Sequence, residues 1–539
     1  MAGNGYSLVT LDDFRGGLNY RTDAFDLELN ESPDLLNVNV DPRGGILLRD
    51  GVKTLAQTAL GSNVNGIWSY HNDDGTSEVL VNYGTTVGVY DGVDFDSTGA
   101  GTITARTDGS RTYGVTINNV AYAVSGDVTS FYYNGTSFTN LGTTLDGSAG
   151  NFPIAQYVEH WNNFAWVGNT VESGTAEKNR IRFSNANLPT QWNDLDFIDI
   201  GKGEGGDYIT GIVGHNDRLV IFKSNSMYAL FGFDADTFQL VPISETVGSI
   251  PLSSPVSTPY GVFFWHDRKG VYLYNGDTTV WLFEKLQPAI DDGRIAFGTT
   301  PQLAWANNKL YVTVQYNNPD TNALEQRMFV YDPTINAWVL WDVDALVLHT
   351  HQPPNAEAVL YGSCVDATGR VVSIDNANFP ADRYTYSGGS YVATNIASYF
   401  RTAWVQTRNP IVRKRWGQIR VILATEQTVD LDVDVFHNYD PSTERKQYTT
   451  RVDGRGGSTS TWAADAAGTT TWQLAPGESG TAGNGVWATF GSAAPVDVKK
   501  LGTGGTASSI CVKIIGPTVQ NATWEVNGLA FPYISRRMR

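Results

Sequence analysis

The chain has 539 residues, with 37 Lys and Arg against 55 Asp and Glu and a formal net charge of −18, which argues against long-range attraction to nucleic acid or an anionic membrane. Aromatics make up 12% of it, with 56 Gly, 21 Pro and 2 widely separated cysteines, Cys364 and Cys511; this is the composition of a turn-rich all-β protein without a disulfide framework or a cysteine metal set. No apolar run reaches about 18 residues, and Met1-Ala2-Gly3-Asn4-Gly5 lacks the basic and apolar parts of a secretory leader, so a cytoplasmic chain with no membrane span is expected.

A chain of this length should hold two or three domains. Residues 1–55 read as an extended arm for assembly contacts. It opens with Phe14-Arg15-Gly16-Gly17-Leu18-Asn19 and continues into the alternating strand Asn37-Val38-Asn39-Val40. Asp41-Pro42 and Gly44-Gly45 mark turns before Leu47-Leu48-Arg49-Asp50-Gly51.

Residues 56–390 repeat. The phrases Val89-Tyr90-Asp91-Gly92, Tyr132-Tyr133-Asn134-Gly135, Leu273-Tyr274-Asn275-Gly276 and Val330-Tyr331-Asp332-Pro333 each follow a hairpin-like stretch of β-branched and aromatic residues. Asn, Asp and Gly tolerate the left-handed backbone of tight turns, so each phrase reads as strand, then turn. Tyr90 and Tyr133 stand about 43 residues apart, as do Phe231 and Tyr274, and propeller blades run ~40–50 residues. The region therefore reads as a β-propeller, with hairpins near 67–95, 113–138, 164–192, 209–240, 261–283, 305–341 and 359–374. That makes about seven blades, with six or eight also compatible.

Residues 391–539 carry longer strands: Ile419-Arg420-Val421-Ile422-Leu423, Val429-Asp430-Leu431-Asp432-Val433-Asp434-Val435 and Ile510-Cys511-Val512-Lys513-Ile514-Ile515. A Gly/Ser/Thr/Ala-rich stretch at 456–471 lies between them. The expected fold is a β-sandwich-like domain with a long loop.

Catalytic motifs are missing. There is no Gly-x-Ser-x-Gly, no His-Glu-x-x-His and no Gly-x-x-x-x-Gly-Lys, and Gly201-Lys202-Gly203-Glu204-Gly205-Gly206 lacks phosphate-loop spacing. Asp430, Asp432 and Asp434 fall on one strand face. They would need oxygens from other loops to hold calcium, and a solvent face paired with Arg413-Lys414-Arg415 or Arg420 is the simpler reading. His349-Thr350-His351 places two imidazoles on one face and reads as structural. Arg408, Arg413, Lys414, Arg415 and Arg420 beside Trp416 form the densest basic run, which in so acidic a chain fits a salt-bridged subunit contact. No cofactor or metal is implied.

The arm motif, Asp217-Arg218-Leu219-Val220-Ile221-Phe222-Lys223-Ser224-Asn225-Ser226-Met227-Tyr228 and the stretch 248–276, with its Gly-Val-Phe-Phe-Trp and Gly-Val-Tyr-Leu-Tyr-Asn-Gly pieces, resemble the propeller proteins of bacteriophage tails. The resemblance is to the stabilisation or nozzle proteins of short-tailed phages and spans roughly residues 10–420. It implies a structural virion protein, assembled in the host cytoplasm. Such a subunit sits in a ring, usually sixfold, at the distal tail. It meets other tail proteins, and genomic DNA passes without specific binding. Phe14, Arg15 and Arg49 of the arm and the basic run would then lie at subunit contacts. A host-recognition module binding surface glycan is the alternative, and a propeller hydrolase comes after it.

Overall fold

The computed structural model describes residues 7–535 apart from 98–102, 202–205, 297–299, 320, 365–368, 377–379, 408–411, 426–428, 453–458, 465–471, 475–485, 489–496, 504 and 519–521. The chain divides into two units, one of residues 18–23 and 50–394, the other of residues 1–17, 24–49 and 395–539.

The larger unit is a seven-bladed β-propeller. Seven antiparallel sheets follow one another along the chain, at 64–96, 113–140, 154–199, 209–244, 256–281, 302–341 and 348–376, and each is a meander from an inner to an outer strand. The inner strands are Val64–His71, Tyr113–Ile117, Ile154–Trp161, Ile209–His215, Val256–Thr258, Gln302–Ala306 and Leu348–His351. Each packs against the next, and the seventh packs against the first. Hydrophobic cores lie between blades: Trp68, Tyr70 and Leu80 of blade 1 pack with Ala123, Phe131 and Tyr133 of blade 2. No blade buries its faces alone, so stability accrues only as neighbours stack.

Turn chemistry accounts for the repeat. The Tyr-Asx phrase falls at the end of the third strand each time. Asp91 Oδ1 accepts from the Val93 and Asp94 N–H groups at 2.8 Å. Asn134 Oδ1 accepts from Thr136 and Ser137 at 3.0 and 2.9 Å, and Asn275 Oδ1 from Asp277 and Thr278 at 3.1 and 3.0 Å. Asp332 Oδ1 accepts from Thr334 at 2.8 Å. These side chains hold the turn into the fourth strand. The turn from first to second strand is Asn118-Asn119, Asn162-Asn163 or Asn307-Asn308 in three blades, all at positive φ; this two-residue turn matches strand twist.

The ring closes with a strand from the other end of the chain. Blade 7 supplies Leu348–His351, Val359–Ser363 and Val371–Asn376, and its fourth strand is Gly51–Thr54, which lies before blade 1 in sequence. Thr54 stands opposite Val372 and Lys53 opposite Ser373. The Leu55 N–H donates to the Val371 carbonyl at 2.7 Å, and the Val52 N–H to Asp382 Oδ1 at 3.0 Å. Closure of this kind leaves only short, protected strand edges.

The second unit is β-sandwich-like. Its eight-stranded sheet is organised on Glu525–Ser535, which pairs with Ser7–Leu11, Ile46–Leu48, Lys414–Trp416 and Ile419–Ala424. Its five-stranded sheet runs Leu35–Leu36, Tyr399–Arg401, Ile510–Ile515, Val429–His437, Glu444–Val452. Alternation sends Leu431, Val433 and Val435 into the core and Asp430 and Asp432 outward.

Two expectations about the arm change. Its segments at 7–11, 35–40 and 46–48 are strands of the second unit, while 51–54 belongs to the propeller. Phe14 and Arg49, expected at a subunit contact, are each 1% exposed. Phe14 packs edge-on against Phe400 at 5.1 Å, and Arg49 Nε donates to Asn37 Oδ1 at 2.8 Å. The fold of their own unit uses both, which leaves no surface for a neighbour.

Replacing the closing carboxylate tests the closure. In Asp382→Ala the buried Val52 N–H loses its acceptor, an expected cost of about 1–3 kcal/mol. Hydrogen exchange should accelerate first in 51–54 and 371–376; acceleration spread evenly over all blades would contradict this account.

Candidate functional site in the propeller cavity

Seven inner strands surround a cavity of about 670 Å³, a size that holds a small organic molecule. Every blade contributes to its lining, including Asn65, Ile67, Arg111, Tyr113, Tyr157, Glu159, Ile212, Ser257, Gln302, Leu303, Trp305, Val347 and His349.

Strand register gives the depth of each group. The Thr112 N–H donates to the Asn65 carbonyl at 3.2 Å and Thr116 Oγ1 to the Ser69 carbonyl at 2.8 Å, so the first two inner strands run side by side in the same direction. Tyr113 and Tyr157 meet at 5.5 Å between ring centroids. Arg111 lies two residues before the first of these tyrosines and Glu159 two residues after the second. The two charged groups are therefore about four residues apart along the strands, roughly 13 Å at ~3.3 Å per residue.

One end of the cavity is floored. Leu252, just before the inner strand of blade 5, receives a hydrogen bond from the Tyr113 hydroxyl on its carbonyl at 3.0 Å and donates its N–H to the Tyr157 oxygen at 3.2 Å. Gln302 Nε2 donates to the same carbonyl at 2.5 Å and its Oε1 accepts from Ser254 Oγ at 2.7 Å. Residues of blades 2, 3 and 6 thus hold one loop across the axis. Leu252 pays for this position with φ of +61°, a left-handed backbone that a branched side chain adopts only under outside restraint. At the other end the exposed Ser257, Asn307 and Gln352 ring an opening.

Arg111 sits at the floored end. Its Nη2 donates to the Leu346 carbonyl at 3.3 Å, and its buried Nη1 has no acceptor among the described residues. Burial pushes its pKa down, and only the Tyr113 phenol opposes that shift. Glu159 keeps some access to the cavity yet lies deep in the ring; burial raises its pKa to about 7, against the pull of the His160 and Gly214 backbone N–H groups.

The seam between blades 7 and 1 carries a polar chain. Ser69 Oγ lies 2.7 Å from both His349 Nε2 and His351 Nδ1, and Ser77 Oγ lies 3.2 Å from His351 Nε2 and 2.9 Å from His71 Nδ1. With all three imidazoles neutral, each hydroxyl gives one hydrogen bond and takes one. Burial, and then the neighbouring imidazoles, lower His349 to about 3 and His351 to about 4.

The other sequence-derived residues lie in the second unit. Arg15 is exposed and pairs with Asp13 at 2.8 Å. Arg413, Arg415 and Arg420 are exposed, whereas Lys414 is fully buried and its Nζ donates to the Ser508 carbonyl at 3.1 Å, so it is no surface contact. Arg408 lies outside the described residues. Arg415 pairs with Ile534 and Arg420 with Ala530 on the shared strand, two positions of equal parity, so both side chains emerge on one sheet face. The exposed Lys500 stands directly opposite Arg420. The Asp ladder does not face this basic run. Asp430 stands opposite Arg451, Asp432 accepts from Thr449 Oγ1 at 2.7 Å, and Asp434 stands between Gln447 and Lys513. Burial and Glu444 push Asp434 up. Among the described residues no three His, Cys, Asp or Glu side chains converge as metal ligands.

No protein-family model and no curated protein matches the sequence. Among solved structures, BBS1N in its complex with ARL6DN matches at 10% identity and a TM-score of 0.36, over 61% of this chain and 97% of that one. The extracellular domain of BT4673 from B. thetaiotaomicron matches at 12% identity and 0.40, over 68% and 42%. PorZ, a surface component of the type-IX secretion system of Porphyromonas gingivalis, matches at 11% and 0.35, over 68% and 44%. The propeller is defined by its closed ring of sheets, independently of these likenesses.

The seam gives a pH dependence with a definite sign. Both histidines titrate lower folded than unfolded, so their contribution is complete above about pH 6.5 and is lost as pH falls towards 4 and then 3. Glu159 works in the opposite sense: its raised pKa makes folding less favourable as pH rises from 4.5 through about 7. Melting curves of wild type and His351→Gln between pH 4 and 7 should converge as pH falls; a constant gap would remove the seam from the pH response.

Proposed function

We propose that the chain is a structural subunit of a bacteriophage tail nozzle or hub, and that its propeller and basic sheet face join neighbouring copies into a ring. The single observation that carries this reading is the like-charged face of Arg415, Arg420 and Lys500, with the exposed Arg413 next to it in sequence. Like charges set directly opposite on a sheet repel one another. In a chain of net charge −18 the complementary surface is acidic, and another copy can supply it.

The propeller offers such a surface. Leu195 and Phe233 are 84% and 81% exposed, on the loops between third and fourth strands of blades 3 and 4. Asp194 and Asp196 flank the first, and Asp234 and Asp236 follow the second. Both loops lie on the same side of the meander, as does Tyr260 in the first turn of blade 5. Apolar tips among carboxylates suit a basic sheet: the tips exclude water and the charges set register. A contact between two different surfaces of one chain closes into a ring when its rotation does. The acidity of the remainder suits a lumen past which DNA slides. Phe233 and Tyr260 also support a second reading, recognition of host glycan by exposed aromatics.

Light scattering with negative-stain imaging tests the assignment. The wild type should form a closed ring with a central channel, loosened by salt. Arg415→Glu with Arg420→Glu should leave folded monomers, and adding Asp194→Lys and Asp234→Lys should restore part of the assembly. A wild type that stays monomeric with tail partners, or binds glycan arrays through Phe233, would overturn the nozzle reading.

A further inference from the structure

We propose that the central cavity of the propeller is a binding site for a small organic carboxylate, with the carboxylate on Arg111 at the floor and an apolar body along the walls. The argument begins with Arg111. A guanidinium nitrogen taken out of water gains from a counter-charge or a further acceptor. Arg111 has one carbonyl acceptor, from Leu346, and its buried Nη1 has none among the described residues. Glu159 lies about four residues further along the strands, roughly 13 Å away, too far to serve.

The floor is held firmly in place. Tyr113, Tyr157, Gln302 and Ser254 fix the loop at Leu252 with four hydrogen bonds, against the strain of its positive φ. The cation sits at the closed end and the opening lies at the other, so an anion is held away from bulk water, where a charge-assisted bond is strongest.

The walls select the remainder of the molecule. The lining beyond the floor includes Ile67, Ile212, Leu303 and Trp305. Planar guanidinium pairs best with a planar carboxylate, and about 670 Å³ exceeds what an inorganic ion fills. An inorganic anion would leave the apolar wall hydrated.

Calorimetry with hexanoate as the probe tests this, with hexanol and inorganic phosphate as the neutral and inorganic arms. Hexanoate should bind one per chain, more tightly than either control, and raise the melting temperature of the full chain. Arg111→Met should weaken hexanoate roughly tenfold or more, while Arg111→Lys should retain part of the affinity. Without ligand, Arg111→Met should melt no lower than wild type, because an unpaired buried charge is gone; a large drop would make Arg111 a structural residue and defeat the proposal. Equal binding of hexanol and hexanoate, tighter binding of phosphate, or no binding of hexanoate would also defeat it. None of these outcomes depends on ring assembly, so the nozzle reading stands or falls separately.

Discussion

The propeller depends on a pairing between residues more than 300 positions apart in sequence: Gly51–Thr54 completes the blade that ends at Asn376. Without it the seventh sheet would lose the strand that ties the segment before blade 1 to the last blade. The inner strands form an unbroken ring, each packed against the next. The entropy of joining distant segments is met once, and the contacts around the ring then support one another.

Closure also creates the chemistry of the interior. Arg111, Glu159 and the His71–Ser77–His351–Ser69–His349 chain are ordinary polar residues drawn from four blades. The ring removes water from around them and shifts their proton affinities in the directions burial dictates: the imidazoles and guanidinium down, the carboxyl up. His349 and His351 are bonded by serines of the neighbouring blade, and His71 by Ser77 of its own. The guanidinium is only partly satisfied, and that difference makes the floor, rather than the seam, the place where a ligand gains most.

The second unit shows how register turns a charge run into a surface. In Lys414-Arg415-Trp416 the alternation of a strand sends Lys414 and Trp416 inward and Arg415 outward, and Arg413 just before it is exposed. Composition sees one basic cluster. The sheet divides it into a buried lysine bonded to Ser508 and an exposed face continued by Arg420 and Lys500. The Asp ladder obeys the same alternation but lies in the other sheet, where Arg451 and Lys513 face it.

Much of the propeller was legible because its signals are local. The Tyr-Asx phrase works through a side chain bonding to backbone two or three residues on, so it marks the third strand of a blade wherever it occurs. The central strands are continuously apolar, and they located all seven hairpins. The inner strands of blades 3, 5 and 7 fall outside the expected hairpins, although His349-Thr350-His351 reads as strand: Ile154–Trp161 carries Gln156, Glu159 and His160, Val256–Thr258 is short, and Leu348–His351 is half histidine. Such strands are enclosed only after the ring exists, so their own pattern resembles an exposed segment. For the same reason Arg111 and Glu159 carried no signal, and the arm looked extended because its partners lie at the far end of the chain. The sequence by itself determined the all-β class, the repeating blade and its turns, since these rest on backbone preferences spanning a few residues. Tertiary structure alone decided which strand closes the ring, which charges lose their water and which arginines reach the surface, because burial and register are set by partners hundreds of residues away.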